Sequence, residues 1–233
     1  MDEAALRAEL EAAGVGAPLA ARLASFGALL LDANRRVNLT GANSVAALLP
    51  HLLDSLSVVP YVHGPLVDVG SGGGLPAIPV ALATGYPVTL VEATAKKAAF
   101  LEHAADRLEI PATIYSERAE RVAHETGCRE RFACATARAV ASAPAVAELT
   151  VPFLQLGGRA ILQRGPADPG EAAVVADALL VLGGVLEETI PLGHGRRLLL
   201  VRKQTATPAR FPRRPGIPER RPLGGGVSRE TSR

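Results

Sequence analysis

Aromatic side chains are scarce in this 233-residue chain: there is no tryptophan, and three tyrosines with five phenylalanines make up 3%. Platforms that stack successive bases on aromatic rings are therefore not indicated. Cysteine is equally sparse. Cys128 and Cys134 have five residues between them, no CxxC occurs, and the five histidines are scattered. A disulfide framework and a zinc site are both unexpected, and the thiols read as free and buried in a reducing compartment. Long apolar runs are missing too. The longest, Ile78 to Val91, is broken by Pro79, Gly85 and Pro87, so no membrane span is expected. Asp2 and Glu3 open a helix-like segment without the basic-then-apolar pattern of a secretory signal. The expected location is cytoplasmic and the default state a monomer. Net charge is also small, at +2.

Apolar residues reach 48%, which is enough to bury a core and excludes disorder of the whole chain. Residues 1–63 read as a helical extension, because Leu6, Leu10 and Val15, then Leu19, Leu23, Phe26, Leu29 and Leu30, recur at helical spacing. A third helix is predicted from Ser44, a candidate N-cap, to Val59 before Pro60. From 64 to 203 short strands alternate with helices. The strands are Leu66–Val69, Val88–Glu92, Ala112–Glu117, Phe132–Arg138, Gly158–Gln163, Leu186–Leu192 and Arg197–Lys203. Helices fit Pro76–Thr84, Lys96–Leu108, Ala143–Leu154 and Glu171–Leu182. Alternation of this kind means βαβ units and a mostly parallel α/β sheet, with ligands at the carboxyl ends of strands. The last two strands have only Gly193-His194-Gly195 between them, too short for a crossover, so they pair antiparallel. Residues 204–233 are Pro-, Arg- and Gly-rich and read as an extended tail. That tail holds seven arginines and two glutamates, or +5, leaving −3 on the remainder.

The strongest local signal is Leu66-Val67-Asp68-Val69-Gly70-Ser71-Gly72-Gly73-Gly74-Leu75-Pro76. An apolar strand enters a glycine-rich turn, and a helix starts with proline near its first position. Glycine serves where the backbone takes positive φ or a ligand comes close. The dinucleotide fingerprint G-x-G-x-x-G fails, because Leu75 stands at its third glycine, and no Gly-Lys-Ser/Thr follows to make a P-loop. The spacing is G-x-G-x-G, at Gly70, Gly72 and Gly74, which suits a methionyl group lying over the loop better than a pyrophosphate. Glu92 ends the second strand 22 residues after Gly70, where an acidic side chain accepts hydrogen bonds from ribose hydroxyls. Asp68 either orients loop N–H groups, faces the methionine ammonium, or is a solvated strand end. Arg118-Ala119-Glu120 follows the third strand, on the edge where an adenine would sit. Arg138 ends the fourth strand among small apolar neighbours and needs a partner there, either a site group or the carboxylate of Glu120 or Asp68. Together these residues outline a class I S-adenosylmethionine-dependent methyltransferase, a Rossmann-like, seven-stranded, mostly parallel sheet with an antiparallel last strand.

Several segments then resemble one family, the RsmG (GidB) family of bacterial 16S rRNA guanine-N7 methyltransferases. They are Val67–Val80 with Leu75-Pro76-Ala77-Ile78-Pro79, Asn38-Leu39-Thr40, His51-Leu52-Leu53-Asp54-Ser55, Lys96-Lys97 with Phe100-Leu101, Arg118-Ala119-Glu120 and Thr136-Ala137-Arg138-Ala139. The likeness runs roughly from residue 5 to 203. It implies methyl transfer from S-adenosylmethionine to N7 of one guanine near the decoding site, with the small ribosomal subunit as partner. It also implies cofactor contacts at Gly70, Leu75, Ala119, Glu120 and Arg138; Asp68, Gly72 and Glu92 are cofactor candidates from the loop and strand pattern alone. Three positions depart from the family pattern: Ala77 replaces Gly, Ala33 replaces Trp, and Gln163-Arg164-Gly165 stands where Lys-Gly is common.

Guanine N7 has an in-plane lone pair and no proton, so no general base and no metal is expected, and catalysis would be mainly positioning. Candidates for that positioning are Asn38, His51 and Arg138; on the RNA side stand Asn38, His51 and Asp54, with Arg210, Arg213, Arg214, Arg220 and Arg221 clamping phosphates. Asn38 equally suits a helix cap, His51 with Asp54 a local side-chain pair, and the arginines a solvated tail. Rival readings are a small-molecule methyltransferase, a nicotinamide-dependent oxidoreductase and a non-catalytic ribosome-assembly protein.

Overall fold

The computed structural model describes residues 3–138, 140–166 and 170–224. The chain divides into two compact units, Met1–Arg118 and Ala119–Arg233. The first opens with helices α1 (Glu3–Ala12), α2 (Ala17–Asn34) and α3 (Val45–Leu56), followed by a 3₁₀ turn at Val59–Tyr61. Ser44 caps α3 by accepting the Ala47 N–H at 3.2 Å, as its position before the apolar run predicts. The three helices meet at Gly27, where a Cβ would lie 2.3 Å from Leu6 Cδ2 and 3.1 Å from Leu48 Cδ2. Then come β1 (Leu66–Val69), α4 (Ala77–Thr84), β2 (Val88–Val91), α5 (Ala95–Arg107) and β3 (Ala112–Tyr115). β1 pairs β2 in parallel, and β2 pairs β3 in parallel.

The second unit contains α6 (Ala119–Val122), β4 (Phe132–Arg138), α7 (Ala143–Thr150), a 3₁₀ turn at Val151–Phe153, β5 (Leu154–Arg164), α8 (Glu171–Leu182), β6 (Gly184–Gly193), β7 (Arg196–Lys203) and α9 (Ile217–Arg220). β4 and β5 are parallel, whereas β7 runs antiparallel to both β5 and β6. The turn between β6 and β7 places His194 at φ 51° and Gly195 at φ 72°, the paired positive φ values that match a hairpin's twist. The strand order is β3-β2-β1-β4-β5-β7-β6, so the fold is the expected seven-stranded, mostly parallel α/β sheet with an antiparallel last strand. Among the described residues no helix is long and apolar enough to cross a membrane.

The stretch after Gln204 does not behave as an extended tail. As far as residue 224 it is folded into the second unit, with Thr207, Phe211 and Pro218 buried. Arg129 holds it by donating to the carbonyls of Thr207 (2.8 Å), Pro208 (3.2 Å) and Phe211 (2.8 Å). Lys203, itself buried, pairs with Glu130 at 3.0 Å. Proline and arginine in this stretch therefore mark a strap with side-chain anchors, since its regular backbone bonding among the described residues is confined to the single turn of α9. Arg229 and Arg233 lie outside the described residues.

Candidate functional site

The loop after β1 explains its own glycine spacing. Gly70, Gly72 and Gly74 have φ of 70°, 54° and 84°, so every second position adopts the left-handed conformation that glycine takes without a Cβ penalty. Gly73 is glycine for a different reason. A Cβ there would lie 2.9 Å from Leu30 Cδ1 and 3.1 Å from the Leu39 carbonyl. At Gly72 the same addition meets nothing nearer than the Gly70 carbonyl at 3.8 Å, so the space above Gly72 is open. The Leu75–Pro76 peptide is cis, Pro76 occupies the N-cap position of α4, and Leu75 is buried.

Four of the loop amides are spent inside the protein. Gly70 and Ser71 donate to the Val91 carbonyl at 2.9 and 3.2 Å, and Gly74 donates to the Ser71 carbonyl at 2.7 Å. Gly72 donates to Glu92 Oε2 at 2.9 Å, and Thr94 donates to Glu92 Oε1 at 2.8 Å. Glu92 therefore links the loop to the first turn of α5, a role its sequence position did not announce. Each of its oxygens keeps a lone pair beyond that bond. A pyrophosphate needs free N–H donors and positive potential. This loop instead presents open space beside the buried carboxylates Asp68 and Glu92, 1% and 7% exposed. Such an environment fits a ligand that is cationic and rich in hydroxyl and ammonium donors, which is the chemistry of S-adenosylmethionine. Asp68 is thus no solvated strand end, and its own carbonyl accepts the Ser71 hydroxyl at 3.0 Å.

The loop carrying Asn38 abuts the glycine turn through Leu39, as the Gly73 distances require. Its conformation is set by Asn34, a residue that periodicity reads merely as the end of α2. Asn34 accepts the N–H groups of Leu39 (2.8 Å) and Thr40 (3.0 Å) and donates to the carbonyls of Thr40 and Ala42. Asn38 itself is exposed, so it is Asn34 that organises this turn. His51 and Asp54 are half-buried on α3.

In the second unit, Ala119 and Glu120 begin α6, 8% and 2% exposed. Glu120 accepts the Gly216 N–H from the strap at 2.8 Å. Arg138 is half-buried at the end of β4, in register with Gln163 of β5. Arg164 contacts Glu171 at 3.3 Å and the Ala141 carbonyl, so this cation is engaged in the second unit's own packing.

A protein-family model described as rRNA small subunit methyltransferase G matches residues 20–200. Among curated relatives, ribosomal RNA small subunit methyltransferase G of Rubrobacter xylanophilus is 41% identical, covering 85% of this chain and 82% of its own length. That of Geobacillus thermodenitrificans is 33% identical over 96% of this chain and all of its own. Solved structures show the same fold. A Thermus thermophilus branched-chain polyamine synthase gives a TM-score of 0.56 at 15% identity, covering 69% of this chain and 57% of that one. A mutant of MtNAS in complex with S-adenosylmethionine gives 0.54 at 16%, covering 88% and 85%. On the glycine loop, the sheet and a match of this extent, the chain belongs to the rRNA small subunit methyltransferase G family.

Proposed function

We propose that this enzyme methylates N7 of one guanine in 16S rRNA, near the decoding site, with S-adenosylmethionine as methyl donor. The observation that carries the reading is the G-x-G-x-G loop braced by Glu92, with space open above Gly72. On this reading, residues 1–63 are a helical extension, 64–203 the transferase domain and 204–233 a basic segment, in a cytoplasmic monomer. Gly70, Gly72 and Leu75 line the methionyl side, and Ala119 and Glu120 the adenine side. Glu92 takes ribose hydroxyls on the lone pairs that Gly72 and Thr94 leave. Asp68 attracts the ammonium, and Arg138 holds the carboxylate end.

The bound cofactor supplies a methyl group already activated on a sulfonium. The protein therefore has no nucleophile to deprotonate, because guanine N7 offers its lone pair directly, and no metal is called for. What the residues contribute is alignment of N7, methyl carbon and sulfur, the part of a bimolecular barrier that positioning removes. Asn38, on the loop that Asn34 fixes beside Gly73, and His51 are candidates to orient the target base. Freeing that base from its stack costs on the order of a few kcal/mol, to be recovered from contacts to the surrounding RNA.

Incubation with methyl-labelled S-adenosylmethionine and small ribosomal subunits that lack the modification tests the reading. Label in 16S rRNA is expected. Label confined to small molecules would establish the small-molecule alternative, and binding to subunits without any transfer would establish a non-catalytic assembly protein.

A further inference from the structure

We infer that the strap from 204 to 221 is a rigid clamp for RNA backbone phosphates, built over a cleft of about 440 Å³ beside α6. The inference rests on the reading that RNA is the substrate.

The cleft is lined by Glu120, Arg121, His124, Arg210, Arg213 and Arg214, with prolines between. Its carboxylate is turned inward. Glu120 is 2% exposed and accepts the Gly216 N–H. Two further glutamates anchor the strap without facing the rim. Glu130 accepts the Thr207 N–H at 2.8 Å. Glu148, fully buried, takes both the backbone N–H and the guanidinium of Arg213. His124 meets the Pro212 carbonyl at 2.9 Å through a ring nitrogen. These three glutamates thus serve the frame, whereas Arg121, Arg210 and Arg214 are exposed along the rim. The strap's own carboxylate, Glu219, lies exposed on α9 and does not line the cleft.

Arginine forks match phosphate oxygens two at a time. The aromatic ring nearby is not offered to bases, since Phe211 is 4% exposed and the Arg210 guanidinium lies 4.9 Å over its centre. Contact to the sugar–phosphate backbone, without readout of sequence, is what such a rim supports. Because the strap is already held by part-buried bonds from Arg129, Glu130, Glu148 and Glu120, holding its arginines in place costs less on binding than it would on a disordered tail.

The test is the double variant Arg210→Ala, Arg214→Ala, compared with wild type for binding to 16S rRNA across a salt series and, separately, for methyl transfer. Binding is expected to weaken about tenfold at moderate salt, and the slope of log affinity against log salt to fall by about 2, near one per phosphate contact. Affinity for S-adenosylmethionine and the melting temperature should stay at wild-type values. The pair Arg210→Lys, Arg214→Lys should restore most of the slope, because it keeps the charge. An alanine pair that is folded and binds rRNA with an unchanged slope overturns the clamp. A wild type that binds rRNA with the variant-sensitive slope but transfers no methyl group keeps the clamp and removes the methyltransferase reading.

Discussion

Arg213 lays its guanidinium along both carboxylate oxygens of Glu148, at 2.6 to 3.1 Å, and Glu148 is fully buried in α7. The pair lies 65 residues apart in sequence and ties the strap to the second unit. Removing one partner of a buried pair leaves a charge with neither water nor counter-ion, at a cost of about 3–5 kcal/mol. Arg213→Ala should therefore lose about 3 kcal/mol in urea unfolding, and truncation after Lys203 more. An unchanged unfolding midpoint for Arg213→Ala would contradict the burial of Glu148.

The two middle glycines of the loop should fail differently. Gly72→Ala meets no protein atom closer than 3.8 Å, so its cost to the fold is the left-handed strain alone, about 1 kcal/mol. Its methyl group occupies the space assigned to the cofactor, and calorimetry should show S-adenosylmethionine affinity falling at least about tenfold, or roughly 1.4 kcal/mol. Gly73→Ala instead drives Cβ to 2.9 Å from Leu30, and should lower the melting temperature first. Wild-type affinity in Gly72→Ala would move the cofactor off this loop.

Glu92→Gln separates loop bracing from simple burial. The amide keeps one acceptor oxygen but turns an N–H₂ toward either the Gly72 or the Thr94 N–H, both now bonded to the carboxylate. Loss of one charge-assisted bond costs about 1.5–3 kcal/mol. The expected result is a lower melting temperature together with weaker cofactor binding. A variant that loses affinity with no change in melting would mean that Glu92 touches ligand without holding the loop.

Stability should also fall in acid through Glu130. Burial pushes its carboxyl up, but the Thr207 N–H, the Lys203 ammonium and the Arg129 guanidinium outweigh burial and hold it below the usual carboxylate range. A group depressed in the folded state adds stability above its unfolded value and gives it up as pH drops through the folded one. Urea unfolding of wild type should weaken from neutral pH into the carboxylate range and below. Glu130→Gln should start less stable and show a shallower acid slope. Parallel slopes would remove Glu130 from the strap's anchorage.

The parts of the molecule legible in the sequence are those governed by near neighbours. Apolar periodicity located the strands, Ser44 announced a helix start, and the loop's alternating glycines matched its alternating positive φ. Ends were less legible: the predicted helix Ala143–Leu154 stops at Thr150 and passes into a 3₁₀ turn and then β5. The strap was misread because its order comes from Arg129, Glu130, Glu148 and Glu120, residues distant in sequence whose effect on a Pro- and Arg-rich stretch has no local signature. The same holds for Asn34, whose side-chain bonds to the Asn38 loop cannot be seen in a helical repeat. For Glu92, position gave the acidic residue, but only geometry shows it bonded to Gly72.

The most direct measurement is the location of the methyl group itself. Small subunits labelled by this enzyme are treated with borohydride and aniline, which cleave RNA at 7-methylguanosine, and the fragments of 16S rRNA are sized. The account predicts one enzyme-dependent cleavage near the decoding site, weakened when Gly72→Ala replaces the wild type at limiting S-adenosylmethionine. Label in 16S rRNA without such a cleavage, or cleavage spread over many guanines, would contradict it.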